Sequence, residues 1–287
     1  MRRFAEGGDE RAGLLPSARV QAGRAKGRPV SAARWHERPL GGLASLGVAA
    51  GLLLLWGWIA QRAWISPVFL PSPLQTLDAL VLGLREGELL AQTQATLLRM
   101  LYGWLIASAL GVVVGALIGL SATARSWLLP SLELLRPLPA TALLPVGIAL
   151  LGLTPGMLLA VIAFGAAWPV LLATAQGVAS VEPRLQEVAR LLAIGRARFV
   201  LAFVLPHALP DILSGMRLSL TASLIVGVVG EMLTAQEGLG TTVLYAARAF
   251  RSPELYAGVV ILGVIGSLGN LLLQGAEARL LPWRREG

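Results

Sequence analysis

No cysteine occurs among the 287 residues. Disulfide frameworks, thiolate zinc sites, iron–sulfur clusters and thiol nucleophiles are therefore excluded. Lysine is almost as scarce: Lys26 is the only one, and it lies in Gly23-Arg-Ala-Lys-Gly-Arg-Pro-Val30, where no GxxxxGK[ST] can be written. The chain thus has no phosphate-binding loop of its own. Two histidines, His36 and His207, argue against a histidine-rich metal site. Neither HExxH nor GxSxG is present, which leaves a membrane-embedded enzyme without a zinc set or a serine elbow. No catalytic residue and no metal ligand is assigned. Charge is scarce as well. Only 14% of the residues are charged, against roughly 25% in an ordinary soluble domain.

What is present is apolar. Hydrophobic residues make up 55% of the chain and the mean hydropathy is +0.70, so the solvent for most side chains is lipid. A net charge of +8 raises the question of nucleic acid, but its distribution argues against such a partner. Residues 1–38 carry nine of the basic side chains in a Gly/Ala/Pro-rich stretch without apolar periodicity. This reads as a basic disordered cytoplasmic arm beside a membrane span. A cleavable signal peptide fits poorly, because the apolar run starts only after the arm, whereas signal peptides are complete within about 15–30 residues.

A membrane helix rises about 1.5 Å per residue and needs about 20 apolar residues to cross the bilayer. Apolar, charge-poor runs on this scale predict an all-α, polytopic membrane protein with six spans. They fall at 39–62, about 93–122, about 128–151, about 156–179, about 210–233 and about 255–277. The run Pro137–Val181 would be roughly 68 Å long as one helix. It must fold back, and Gly152-Leu-Thr-Pro-Gly156 is the turn signal. With both termini inside, the inner segments hold seventeen basic residues and the outer ones four, as the positive-inside rule requires. The segment 63–92 is then periplasmic, and 278–287 is a cytoplasmic tail. Gly111, Gly115 and Gly119 recur every fourth residue and predict a close helix–helix contact within the subunit; Gly263, Gly266 and Gly269 form a second stripe.

One long polar loop interrupts this pattern, at 180–208. Leu185, Val188, Ala189 and Leu192 recur at spacings of three and four, which predicts a short amphipathic helix. Pro183 suits its first turn and Gly195 its end, and Leu205-Pro206 is expected to form a corner before the fifth span. A helix of this kind lies in headgroups or inserts into a partner's groove. Here the sequence resembles the permease subunits of ATP-binding-cassette importers. Glu187-Val188-Ala189 stands for their EAA motif, and Leu205-Pro206 follows at the family spacing. Ala193 occupies the family's usual Gly position, with Gly195 two residues on, and Phe203 replaces the usual Ile. Further along the chain Pro71-Ser72-Pro73, Thr96-Leu97-Leu98-Arg99, Arg136-Pro137-Leu138-Pro139, Ala208 to Arg217, Glu231 and Glu237-Gly238-Leu239-Gly240 look like the nitrate, sulfonate and taurine branch. The resemblance covers roughly residues 68–280.

It implies a type I importer permease (MetI-like) fold in the bacterial cytoplasmic (inner) membrane. It also implies a separate ATPase subunit that uses ATP and Mg, a periplasmic binding protein, and a second permease copy as homodimer partner. This chain itself is expected to bind no cofactor. Glu187, Val188, Ala189, Ala193, Gly195, Leu205 and Pro206 would form the ATPase-coupling loop. The cargo implied is a small anion such as an aliphatic sulfonate, taurine or nitrate. Arg217 and Glu231, ionisable groups near the membrane, are candidates for the substrate path. The competing reading lets Arg217 snorkel to the inner headgroups and Glu231 meet outer water. A gradient-driven secondary transporter or channel is the alternative function. It leaves the loop signature unexplained and lacks an intramembrane cluster of Asp, Glu or His.

Overall fold

Prolines and small polar residues punctuate this chain, and the helices begin where they fall. A computed structural model describes residues 39–62 and 64–281, with side chains from residue 46; the basic arm and the end of the tail lie outside the described residues. The chain divides into two units, 1–50 and 51–287. Helix α1 (Pro39–Gln61) begins in the first and ends in the second; all other described elements belong to the second.

Ser72 opens α2 (Pro73–Arg85) with a capping box. Its Oγ accepts from the Gln75 amide at 3.2 Å, and Gln75 Oε1 accepts from the Ser72 amide at 2.9 Å, which satisfies two amides at a helix start. The segment read as external therefore contains a helix. Helix α3 (Glu88–Leu120) follows at once and is 33 residues long, longer than the span expected from about 93.

The expected third span is not one helix. Helix α4 (Ala122–Leu135) breaks at Arg136-Pro-Leu-Pro139, and the chain resumes as a 3₁₀ turn (Ala140–Leu143) and α5 (Leu144–Leu151), bent by 80° from α4. Pro137 and Pro139 lack the amides that would continue the ladder, so the α-helix stops although Arg136 itself keeps helical dihedrals, φ −56° and ψ −40°. Gly152, in the left-handed region at φ 71°, then reverses the chain. Thr154 caps α6 (Pro155–Ala179) by accepting from the Met157 amide at 3.1 Å.

After α7 (Pro183–Leu191), Arg196–Thr234 forms one 39-residue helical rod made of α8 (Arg196–Phe199), a π-turn (Val200–Val204) and α9 (Leu205–Thr234). Helices α10 (Leu239–Arg248) and α11 (Ser252–Leu280) complete the chain, and no strand occurs among the described residues. Four of these helices are long and apolar enough to cross a membrane, or five if the bent α4–α5 pair is one span.

Helix α6 is the centre of the bundle. Half of its apolar window is buried, against 11% for α11. Met157, Leu158 and Ile162 on α6 pack with Leu144 of α5 and Val226 of α9, while Leu171, Leu172 and Ala175 meet Ile118 of α3. Leucine and valine side chains on the outer faces of α3 and α11, such as Leu117 at 64% and Leu272 at 74% exposed, remain uncovered. Water would not tolerate so much apolar surface, whereas lipid does.

Candidate functional site

Two places concentrate the polar chemistry of this apolar chain. The first is α7. Proline at its start costs nothing, because the first helical amides have no partner in any case. A helix of nine residues gains little from its own hydrogen bonds and needs contacts to persist. Its one buried residue is Ala189, and even its apolar side chains point outward: Leu185 is 43% exposed, Val188 50%, Leu191 86% and Leu192 67%. Glu187 is exposed beside them. The small residue thus seats the helix on its own bundle, and the large apolar ones face away.

The helix does not end at Gly195. The Ala193 amide donates to the Arg190 carbonyl at 3.0 Å and the Ile194 amide to the Ala189 carbonyl at 2.9 Å, a Schellman ending whose left-handed residue is Ala193 at φ 53°. Gly195 has an ordinary φ of −59°. The glycine favoured at this ending is displaced by two residues, so a Cβ sits where the backbone disfavours one. Ala193→Gly should therefore stabilise the end of α7 by about 1 kcal/mol. Slower amide exchange at Ala193 and Ile194 is the expected readout; equal or faster exchange would contradict it.

Leu205 and Pro206 do not form a corner either. They lie inside the rod Arg196–Thr234. Proline interrupts an α-helix by removing an amide, and here the register has already shifted: the Leu205 amide donates to the Val200 carbonyl, five residues back. Phe199 and Phe203 stack at 5.7 Å along this turn. His207 sits close by, with Nε2 3.2 Å from the hydroxyl of Ser180 at the end of α6.

The second place is Glu231, which the sequence leaves free to meet outer water. Instead its side chain is fully buried. Arg99 Nη1 donates to Oε1, and Oε2 accepts from Thr96 Oγ1 and from the Gly240 amide, both at 2.9 Å. Thr96 Oγ1 in turn accepts from the Leu239 amide at 2.8 Å, and Arg99 also donates to the Glu237 carbonyl at 3.1 Å. The turn after α9 folds back over the carboxylate, and only glycine fits at its apex: Gly238 has φ 155°, and a Cβ there would overlap the Glu231 carboxylate. A buried carboxylate persists only when paired and hydrogen-bonded. Here both conditions are met, and α3, α9 and α10 are tied together.

Arg217 is also paired. Its Nη2 donates to Glu277 Oε2 on α11, and the two side chains are 33% and 22% exposed. Sixty residues separate them, so no local spacing reveals the pair. Arg217 borders a cleft of about 450 Å³ between α9 and α11, with Thr221, Ser267 and Asn270 as other polar lining. The structure brings neither Arg217 to Glu231 nor Glu231 to this cleft.

Gly111, Gly115 and Gly119 face α6. A Cβ at Gly111 would lie 2.8 Å from Val170 Cβ, one at Gly115 2.5 Å from the Leu171 carbonyl, and one at Gly119 2.7 Å from Val178 Cβ. In the second stripe Gly266 and Gly269 approach Leu224 and Leu220 of α9, while Gly263 has open space.

Known proteins are similar to this chain in sequence. The family described as binding-protein-dependent transport system inner membrane component matches residues 107–286. The putative aliphatic sulfonates transport permease protein of Bacillus subtilis is 32% identical over 96% of this chain and 97% of its own length. The taurine transport system permease protein of Escherichia coli is 34% identical over 84% and 90%. The nitrate import permease protein of Leptolyngbya laminosa is 31% identical over 67% and 68%. A gradient-driven carrier has no support beside these matches. With its long apolar helices, its outward-facing α7 and these relatives, the chain belongs to the binding-protein-dependent inner membrane components, as a multi-pass permease of an ATP-binding-cassette importer in the nitrate, sulfonate and taurine branch.

Proposed function

We propose that this permease crosses the cytoplasmic membrane six times with both termini inside, carries a small anion, and takes its driving force from a separate ATPase held at α7. The six spans would be α1, α3, the bent α4–α5 pair, α6, Arg196–Thr234 and α11. Basic residues on the inner segments support the orientation. A chain without a phosphate-binding loop needs the ATPase, and a periplasmic binding protein would deliver the cargo. Two copies would face each other across the path. Sulfonate, taurine and nitrate appear in the names of relatives, and all three carry an anionic group, which is why an anion is the cargo class we favour.

The observation that carries the reading is the exposed apolar face of α7. A nine-residue helix that buries one alanine and leaves Leu185, Val188, Leu191 and Leu192 uncovered is a helix waiting for a groove. Glu187 orients it through a polar contact, and Ala189 seats it on the bundle. Ala193 and Gly195 let the chain turn tightly beside the partner. ATP-driven closure of two ATPases would draw the two α7 helices together and rock the bundles. In the substrate path we retain Arg217, which borders an open cleft, and assign Glu231 instead to the junction with Arg99.

Co-purification with the ATPase tests this directly. Leu191→Glu and Glu187→Arg both change exposed side chains, so the permease should still reach the membrane in normal amount. The pair should lower ATPase capture at least tenfold and stop uptake. Normal capture and uptake would sink the assignment of α7.

A further inference from the structure

Behind α7, where it faces the ends of α3 and α6, lies a cleft of about 520 Å³. Arg125 near the start of α4, Arg190 of α7 and Arg196 at the start of the long rod all line it, and no Asp or Glu does. Among the described residues none of the three arginines forms an ion pair. The amino ends of α4 and α7, at Ala122 and Pro183, open on the same space and add partial positive charge. Gln186 adds one amide, and the other lining side chains are apolar, notably Leu120, Val178 and Val204 at the span ends. Three guanidinium groups around one cleft repel each other and call for an anion, and their fork geometry matches phosphate oxygens.

We propose that this cleft binds a phosphate-bearing amphiphile, an anionic phospholipid of the inner leaflet, with its phosphate on the three arginines and its acyl chains along the span ends. A soluble phosphate would satisfy the arginines and leave the apolar wall empty, so lipid is the source the geometry favours. Basic pockets between membrane helices on the cytoplasmic side take anionic headgroups for this reason. Ala189, the one buried residue of α7, also lines the cleft. A lipid seated there fixes the position of the helix that presents the coupling face. The cytoplasmic side of the cleft rests on the topology proposed above.

The test uses the full-length permease in nanodiscs of phosphatidylcholine with a minor share of phosphatidylglycerol, read by native mass spectrometry. The wild type should retain phosphatidylglycerol selectively. Arg125→Gln should reduce retention about fivefold, the weight of one basic side chain at an anionic surface. Adding Arg190→Gln and Arg196→Gln should reduce it at least tenfold further. The triple Arg→Lys variant keeps the charge but not the fork geometry and should fall between the wild type and the triple Gln variant, and Arg85→Gln, far from the cleft, should keep all of the preference. Should the triple Gln variant fail to fold, Arg125→Gln alone, which lies outside α7, carries the test. Unchanged retention in Arg125→Gln would overturn the proposal. Displacement of the lipid by millimolar inorganic phosphate or ATP would assign the cleft to a soluble anion instead. Loss of the lipid when the ATPase is added would assign it to an acidic group of that partner. Because lipid retention is read on the permease alone, it stands or falls separately from ATPase capture.

Discussion

Replacing Arg99 by Met should destabilise the permease by about 3–5 kcal/mol, the usual cost of leaving a buried charge without its partner. Glu231 has no route to water: its side chain is fully buried and the turn of Gly238 lies over it. Thr96 and the Gly240 amide would still donate, but hydrogen bonds alone do not balance the charge. Glu231→Leu should be comparably damaging, since it strands Arg99 and the Gly240 amide. The double variant Arg99→Met with Glu231→Leu should recover a substantial part of the loss, because replacing a buried pair by apolar side chains of similar size is often close to neutral. Thermal unfolding in detergent reads all three. Arg217→Met provides the contrast, since its pair with Glu277 is partly open to solvent and should cost far less. If Arg99→Met unfolded at the wild-type temperature, the junction would not be holding α3, α9 and α10 together.

Gly115→Leu should cost about 3 kcal/mol, at the upper end of what overpacking does. The added Cβ alone would lie 2.5 Å from the Leu171 carbonyl and 2.8 Å from Thr174 Cβ, and neither can move without displacing α6. In lipid the helices associate through close backbone approach rather than a hydrophobic drive, so a spacer between α3 and α6 removes the contact that holds the bundle. Gly263→Leu is the matched control. Nothing lies within 4 Å of its added Cβ, and the change should stay within about 0.5 kcal/mol. Size-exclusion profiles after heating separate the two. Equal profiles would mean that Gly115 is no more closely packed than Gly263.

The short helix α7 was legible because amphipathic spacing and a leading proline are local signals. Its ending was not. Gly195 is the better left-handed residue by type, yet the hydrogen bonds that close the helix run from Ala193 and Ile194. Which residue becomes the cap depends on where the following rod starts, and that is set by packing. Leu205-Pro206 misleads for a related reason. A proline ordinarily marks a helix boundary, but a π-turn supplies a register in which its missing amide is not needed. At Arg136-Pro-Leu-Pro139 the prolines act as their chemistry dictates, and the 80° bend follows. An uncharged run simply cannot report an angle.

Composition, charge distribution and apolar run length by themselves determined that this chain lives in lipid and is all helix. They also determined that no phosphate-binding loop can be written in it and that one long polar loop interrupts its apolar runs. These properties depend on residue type and local spacing, which a sequence displays directly. Only the tertiary structure decided the fate of the ionisable groups. Arg99 reaches Glu231 across 132 positions and Arg217 reaches Glu277 across 60. It also decided that Arg125, Arg190 and Arg196 share a cleft. A charge in a membrane protein is stabilised by whatever opposite charge or water the fold brings to it, and that partner is set by helix packing rather than by position along the chain.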